Sequence, residues 1–248
     1  MKKIIVSLSL LTLAACGGQD SLNKQQDPQA RHRAELHTNL ATAYYSKGQM
    51  GTALDEFKQA AAIDGTYAPA HIGLGMVYAA LKQDAQAEVG FKRALQLDPG
   101  NSEAHNNYGA FLCSRNRIDE SIREFLTAVS NPLYASSASA YTNAGICAMK
   151  KQDVANAETY FRKALQADPG ARIAAYHMAV ISFNRGEHVQ ARTYLNIAMQ
   201  SIEPNAEMLW LGVRNARKLD DRDAEASYSL LLKRKYPNSA ETKALMAE

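Results

Sequence analysis

"AEVGFKRALQLDPGNSEAH", residues 87–105, and "AETYFRKALQADPGARIAA", residues 157–175, are one phrase written twice. In each, a phenylalanine precedes an alanine by three residues, and an apolar helical period stops at Asp-Pro-Gly. Along the chain Phe57, Phe91, Phe125 and Phe161 are each followed by Ala60, Ala94, Ala128 and Ala164; the first three phenylalanines stand 34 residues apart and the fourth 36 further on. Self-similarity at such a period marks helical units that cannot bury their apolar faces alone and must stack. Proline cannot continue a helix, and the glycine after it is expected to take a positive φ, so 98–100 and 168–170 read as turns between units.

The pattern resembles the tetratricopeptide repeat, which implies an all-α, right-handed superhelical solenoid of paired antiparallel helices. With the phenylalanine as position 24, six repeats fall at 34–67, 68–101, 102–135, 138–171, 172–204 and 205–238, the last degenerate with Tyr228 for phenylalanine. The small residue expected at position 8, where two helices meet closely, is Ala41, Gly75, Gly109, Gly145, Ala179 and Gly212. Residues 131–137, "NPLYASS", lengthen the connection between the third and fourth repeats by two. Residues 34–248 are thus expected to be a single repeat domain, closed by a short polar-faced cap from Asn238.

The N-terminus lies outside this period. Met1-Lys2-Lys3 is a basic n-region and Ile4 to Leu13 an apolar h-region, about half the length needed to span a bilayer, so residues 1–15 read as an export signal. Leu13-Ala14-Ala15-Cys16 resembles a bacterial lipobox, which implies acylation of Cys16; three acyl chains, at ~0.8 kcal/mol per buried methylene, give durable membrane attachment. Gly17 stands where an aspartate would resemble an inner-membrane retention signal, so the resemblance implies the periplasmic face of the outer membrane. Residues 16–33 are polar without apolar period and are expected to be a tether.

Lys plus Arg is 28 against 25 Asp plus Glu, with no block of one sign, which argues against nucleic acid as a partner. The catalytic patterns G-x-S-x-G, H-E-x-x-H and C-x-x-C do not occur, and Gly73-Leu74-Gly75 reads as helix packing rather than a phosphate loop. An enzyme is therefore not expected, nor a cofactor or small-molecule substrate. His37, His71 and His105 recur at intervals of 34, but one ligand per repeat leaves neighbours about a helix spacing, ~10 Å, apart, too far to share a metal.

The repeat resemblance implies that positions 2, 5, 6, 9, 12 and 13 of each first helix face a concave groove. Position 6 runs Asn39, Gly73, Asn107, Asn143, His177, Trp210. Asparagine amides can pair with both the N–H and the C=O of an extended peptide; equally, each can be a polar residue bonded to a neighbouring helix. Around them Ile72, Met76, Ala110, Ile146, Tyr176, Val180 and Phe183 give an apolar surface through repeats two to five, of the kind that marks a partner site. Thr38 and Thr42 replace the lysine and asparagine with which some of these domains clamp a terminal carboxylate. Cys113 and Cys147 lie on the first helices of adjacent repeats and, in an oxidising compartment, are expected to form a disulfide; the alternative is two buried free thiols.

"NNYGAFLC" (106–113), "EFLTAVSNPLYA" (124–135) and "YTNAGICAMKKQDVANAETYFRKAL" (141–165) together resemble the type IV pilus biogenesis and stability family of outer-membrane repeat lipoproteins, the pilotins. That resemblance implies a non-catalytic protein that binds the outer-membrane secretin and assists its localisation or multimerisation. The alternative is a scaffold lipoprotein for another envelope machine, in barrel assembly or cell-wall synthesis.

Overall fold

The structure, a computed structural model, describes residues 27–200 and 203–247; the export signal, Cys16 and residues 17–26 of the expected tether lie outside the described residues. Among the described residues there are thirteen helices and no strand. They pair as α1 (Pro28–Ser46) with α2 (Met50–Ile63), α3 (Ala68–Ala80) with α4 (Asp84–Leu97), α5 (Ser102–Ser114) with α6 (Ile118–Ala128), α7 (Ser137–Lys150) with α8 (Val154–Ala167), α9 (Arg172–Asn184) with α10 (His188–Met199), and α11 (Ala206–Lys218) with α12 (Arg222–Lys235). First helices contact first helices and each second helix contacts the next first helix, whereas the backbones of successive second helices stay farther apart. The chain is therefore a stack with two walls, one of first helices and one of second. The short α13 (Ala240–Ala247) lies against α11 and α12, with Thr242 fully buried and its hydroxyl donating to the Tyr236 carbonyl at 2.7 Å.

Within a repeat the two helices are fixed by an aromatic ring occupying the place of a missing Cβ. A Cβ at Gly75 would lie 2.8 Å from the Phe91 ring, at Gly109 2.9 Å from Phe125, at Gly145 2.5 Å from Phe161 and at Gly212 2.9 Å from Tyr228. The rings of Phe91, Phe125 and Phe161 are almost completely buried, ringed by alanines such as Ala87, Ala94, Ala128 and Ala164. Small residues here let backbones approach while the ring supplies the apolar area, ~1.5–3 kcal/mol for each large side chain removed from water.

Two expectations need correction. Residues 28–33, read as tether, are the opening turns of α1: Asp27 caps it by accepting from the Gln29 N–H at 2.9 Å, and Pro28 occupies the first turn, where its lost N–H costs nothing. Arg31 ties this turn to Asp64 at 2.6 Å and lies over the Tyr67 ring, so charged pairing rather than apolar period fixes it. Nor do Gly100 and Gly170 take positive φ. The Asp-Pro-Gly turns are built instead by the aspartates, with Asp168 accepting from the Gly170 N–H and Asp98 from the Asn101 side chain, both at 2.9 Å. The left-handed residues sit two beyond the end of every first helix: Gly48, Lys82, Asn116, Gln152, Gly186 and Asp220.

Across repeats, the residue just past each of three first helices reaches back to an acid of the preceding repeat: Arg115 to Asp84 at 2.5 Å, Lys151 to Asp119 at 2.6 Å, and Arg185 to Glu158. Glu88 accepts from Tyr108 and Arg117, both at 2.9 Å, joining repeats two and three; hydrogen bonding, from Lys92 foremost, holds its carboxyl down at about 2. Inside repeats one and three a His–Glu pair bridges the helices, His37 to Glu56 and His105 to Glu124, both at 2.6 Å; repeat two has Gly90 where the glutamate would stand. Cys113 and Cys147 are paired, their Cα atoms 5.9 Å apart, tying α5 to α7 beside the lengthened connection.

This packing can be tested at four places. Gly145→Ala should cost about 1–3 kcal/mol, read as a lowered urea midpoint, because the Phe161 ring cannot retreat. Gln152→Gly, by contrast, should stabilise by up to about 1 kcal/mol and so raise that midpoint, since φ of 63° penalises any residue with a Cβ. Opening the disulfide with Cys113→Ala/Cys147→Ala should cost about 2–4 kcal/mol. His105 is raised above its ordinary value of 6.5 by its bond to Glu124. Its stabilisation is thus fully present below about pH 6.5 and lost as pH rises through the higher folded value. Glu124→Gln should flatten that fall in the denaturation midpoint; an unaltered slope would show that the pair contributes nothing.

Candidate functional site

The first-helix wall is not uniform along its length. Repeat one has Ala41 at position 8, and its Phe57 ring lies across Gly73 of the next repeat, where a Cβ would fall 2.0 Å from a ring carbon. In repeat two the Phe57 ring thus takes the place where the asparagine of other repeats would start. The result is a hollow of about 290 Å³ floored by Phe57, Gly73 and Ile72, with Thr38, Thr42 and Tyr45 of α1 on one side and Met76 and Asn107 on the other. Glu103 and Asn101 stand at its α5 edge. Of these, Ile72, Met76 and Asn107 were expected from the sequence; Thr38 and Thr42 served there only to exclude a carboxylate clamp, although they occupy groove positions 5 and 9.

The expected row of asparagines is not assembled. Asn39 is exposed and is not among the residues lining the hollow over Phe57, because α1 turns Thr38, Thr42 and Tyr45 inward and the residue after Thr38 is rotated about 100° away. Asn107 donates its amide at 2.9 Å to both the carbonyl and the carboxylate of Glu103, one turn earlier on its own helix. Asn143 donates to Asn106 at 3.2 Å and lines a different, more polar hollow of about 260 Å³ with Thr142, Asp168 and Arg172. Both amide N–H groups are thus engaged within the protein, while among the described residues no hydrogen bond reaches either Oδ1. The doubled asparagine at 106–107 serves two directions: Asn106 toward the next repeat, Asn107 toward its own helix.

Further along, Ala110 is exposed on α5, and Ile146 is half-buried against the core of the fourth and fifth repeats. Tyr176, Val180 and Phe183 form a half-buried face on α9 packed toward α11. Burial raises the Tyr176 hydroxyl above its ordinary value, and it reaches Glu207 at 3.5 Å. His177 stacks on Phe161 at 4.8 Å and 5°, and burial lowers its pKa, so at this position the side chain packs rather than projects. Sequence reasoning did not find the cation that completes this end of the wall: Arg214 lies over the Phe183 ring at 4.8 Å and 5.8 Å from the ring of Trp210. A helical spacing of four between Trp210 and Arg214 was the available signal.

The wall therefore runs from an apolar hollow, through a polar middle, to an aromatic and cationic end. Such a surface can receive a polypeptide by burying apolar side chains at one end and hydrogen-bonding backbone or acidic groups further on. Among the described residues no group of histidines, cysteines and carboxylates is arranged to hold a metal ion, and no helix is long and apolar enough to cross a membrane.

Comparison with known proteins places this wall in a family. Tetratricopeptide repeat models match residues 34–67, 68–101, 91–123, 114–172 and 142–205. The type IV pilus assembly protein PilF of Pseudomonas aeruginosa is 30% identical over 249 residues, covering 100% of this chain and 99% of that protein. A solved structure of Pseudomonas aeruginosa PilF superposes with a TM-score of 0.82 at 31% identity, over 88% of this chain and 99% of that one. The crystal structure of PilW, a widely conserved type IV pilus biogenesis factor, gives a TM-score of 0.74 at 29% identity, over 86% and 98%. The chain belongs to the PilF and PilW family, the tetratricopeptide-repeat proteins of type IV pilus biogenesis.

Proposed function

We propose that this protein is a non-catalytic lipoprotein of the outer membrane, acylated on Cys16 and held at the periplasmic face, which binds the type IV pilus secretin and assists its localisation or multimerisation. Fibre stability follows from an assembled secretin. The full-length relation to PilF carries the reading; the Leu13-Ala14-Ala15-Cys16 run and the apolar hollow of repeats one to three support it.

In physical terms, a segment of the secretin lays one or two apolar side chains into the hollow over Phe57 and Gly73, against Met76 and Ile72. Burying each is worth ~1.5–3 kcal/mol before ordering costs. The free Oδ1 atoms of Asn107 and Asn143 accept N–H groups of the passing backbone, and Ala110 and Ile146 contact its side chains between them. Acylation confines the protein to the membrane in which the secretin must insert, which raises the effective concentration of one partner for the other without any new contact.

The test is recovery of the secretin from solubilised envelopes with the tagged full-length protein. Met76→Gln/Ala110→Arg, which places polarity and bulk on the wall at one half-buried and one exposed position, should lower recovery about tenfold, with an unchanged helical circular dichroism spectrum showing that the fold is kept. Asn107→Ala/Asn143→Ala should lower it several-fold, and Cys16→Ser should leave binding in detergent intact while reducing secretin multimers in cells. Full recovery with both wall variants would move docking to another face, and deletion that spares fibres but impairs barrel assembly or cell-wall synthesis would favour the other envelope scaffold.

A further inference from the structure

Four arginine–aromatic stacks stand out for how differently they end. Arg31 lies over Tyr67, Arg115 over Phe111 and Arg217 beside Trp210, and each of these guanidiniums also holds a carboxylate of this chain: Asp64, Asp84 and Glu225 respectively. Arg214 is stacked on two rings, 4.8 Å from the centre of Phe183 and 5.8 Å from that of Trp210, yet among the described residues no carboxylate pairs with it. The nearest acid on its own helix, Glu207, is turned to the Tyr176 hydroxyl.

We propose that Arg214 receives an aspartate or glutamate side chain of the polypeptide bound along the first-helix wall, supplying from the partner the carboxylate that the other three stacked arginines find within the chain. The inference rests on the reading that this wall takes a polypeptide, and it names the chemistry required of the segment at the C-terminal end. Ring stacking holds the guanidinium at little cost in its own conformational freedom and leaves the N–H edge open, and that planar fork matches a carboxylate bidentately. Arg217, the other cation on Trp210, already holds Glu225 at 2.6 Å, so Arg214 is the guanidinium offered to an incoming carboxylate. Glu207 and Glu241, both near enough to raise the Tyr176 hydroxyl, flank the site and penalise an acid placed on the Tyr176 side. The acidic residue must therefore arrive over Phe183, with apolar neighbours toward Val180.

Trp210 is the only tryptophan in the chain, so its emission reports on this place alone. The full-length protein is titrated with a capped pentapeptide alternating leucine and glutamate, and with its glutamine twin. Expected is a saturable change in emission with the glutamate peptide, about tenfold weaker binding of the twin, and an affinity gap that narrows as salt is raised. Arg214→Gln should abolish the preference, while Arg214→Lys, which keeps the charge and loses the fork, should retain only part of it; the residue is exposed, so helical circular dichroism should be unchanged in both. Equal affinity for the two peptides, no binding by either, or a preference that survives Arg214→Gln would overturn the proposal. Because no secretin enters this measurement, its failure is separate from failure of the secretin-recovery experiment.

Discussion

A phenylalanine ring filling the space of an absent Cβ is the contact on which the array depends. It sets how closely the two helices of a repeat approach, and thereby the distance at which the next repeat stacks. Gly75, Gly109, Gly145 and Gly212 all meet an aromatic ring sixteen residues on in this way. The hollow in the first-helix wall lies where Gly73 offers no side chain and the Phe57 ring of the preceding repeat covers it. The ring that packs within repeat one is thus also the floor of the hollow beside repeat two.

Much of this was legible in the sequence because repeats average out local ambiguity. Six imperfect copies of one pattern fix a register that no single segment could, so the helix pairs, the close approach at position 8 and the neighbouring placement of Cys113 and Cys147 all follow from spacing. What spacing does not encode is the direction of a polar side chain. Asn39, Asn107 and Asn143 share a repeat position, but Asn107 has Glu103 four residues earlier on its helix and Asn143 has Asn106 across the interface, so the three amides turn to different partners. The start of α1 was hidden for a related reason: Arg31 is anchored by Asp64, thirty-three residues away, and no local period shows it. Lys82 and Gln152 in left-handed backbone were equally hidden, since Gly48, Gly186 and Asn116 carry the usual signature and these two do not.

Polar contacts divide the labour with the rings. Rings and alanines hold each repeat together, whereas Arg115, Lys151 and Arg185 reach to the repeat before. Each such pair is half-exposed, worth little singly in salt water, and gains weight by recurring at successive junctions. The same logic leaves the wall of first helices free to vary. Tyr45 and Met76 pack one side against the core while lining the hollow with the other, so the wall carries an apolar sector at one end and a cationic one at the other on the same scaffold.

The bond between Cys113 and Cys147 has a mechanical meaning in such an array. Neighbouring repeats touch only each other, so under tension a stack of this kind can peel apart at any junction whose contacts fail first. At the junction between α5 and α7 it cannot, because a covalent strut bypasses both α6 and the long loop after it. A force carried along the molecule, such as a docked partner under load would exert, can strip repeats from either end but leaves the central pair joined, and the frayed ends have a fixed seat on which to wind back.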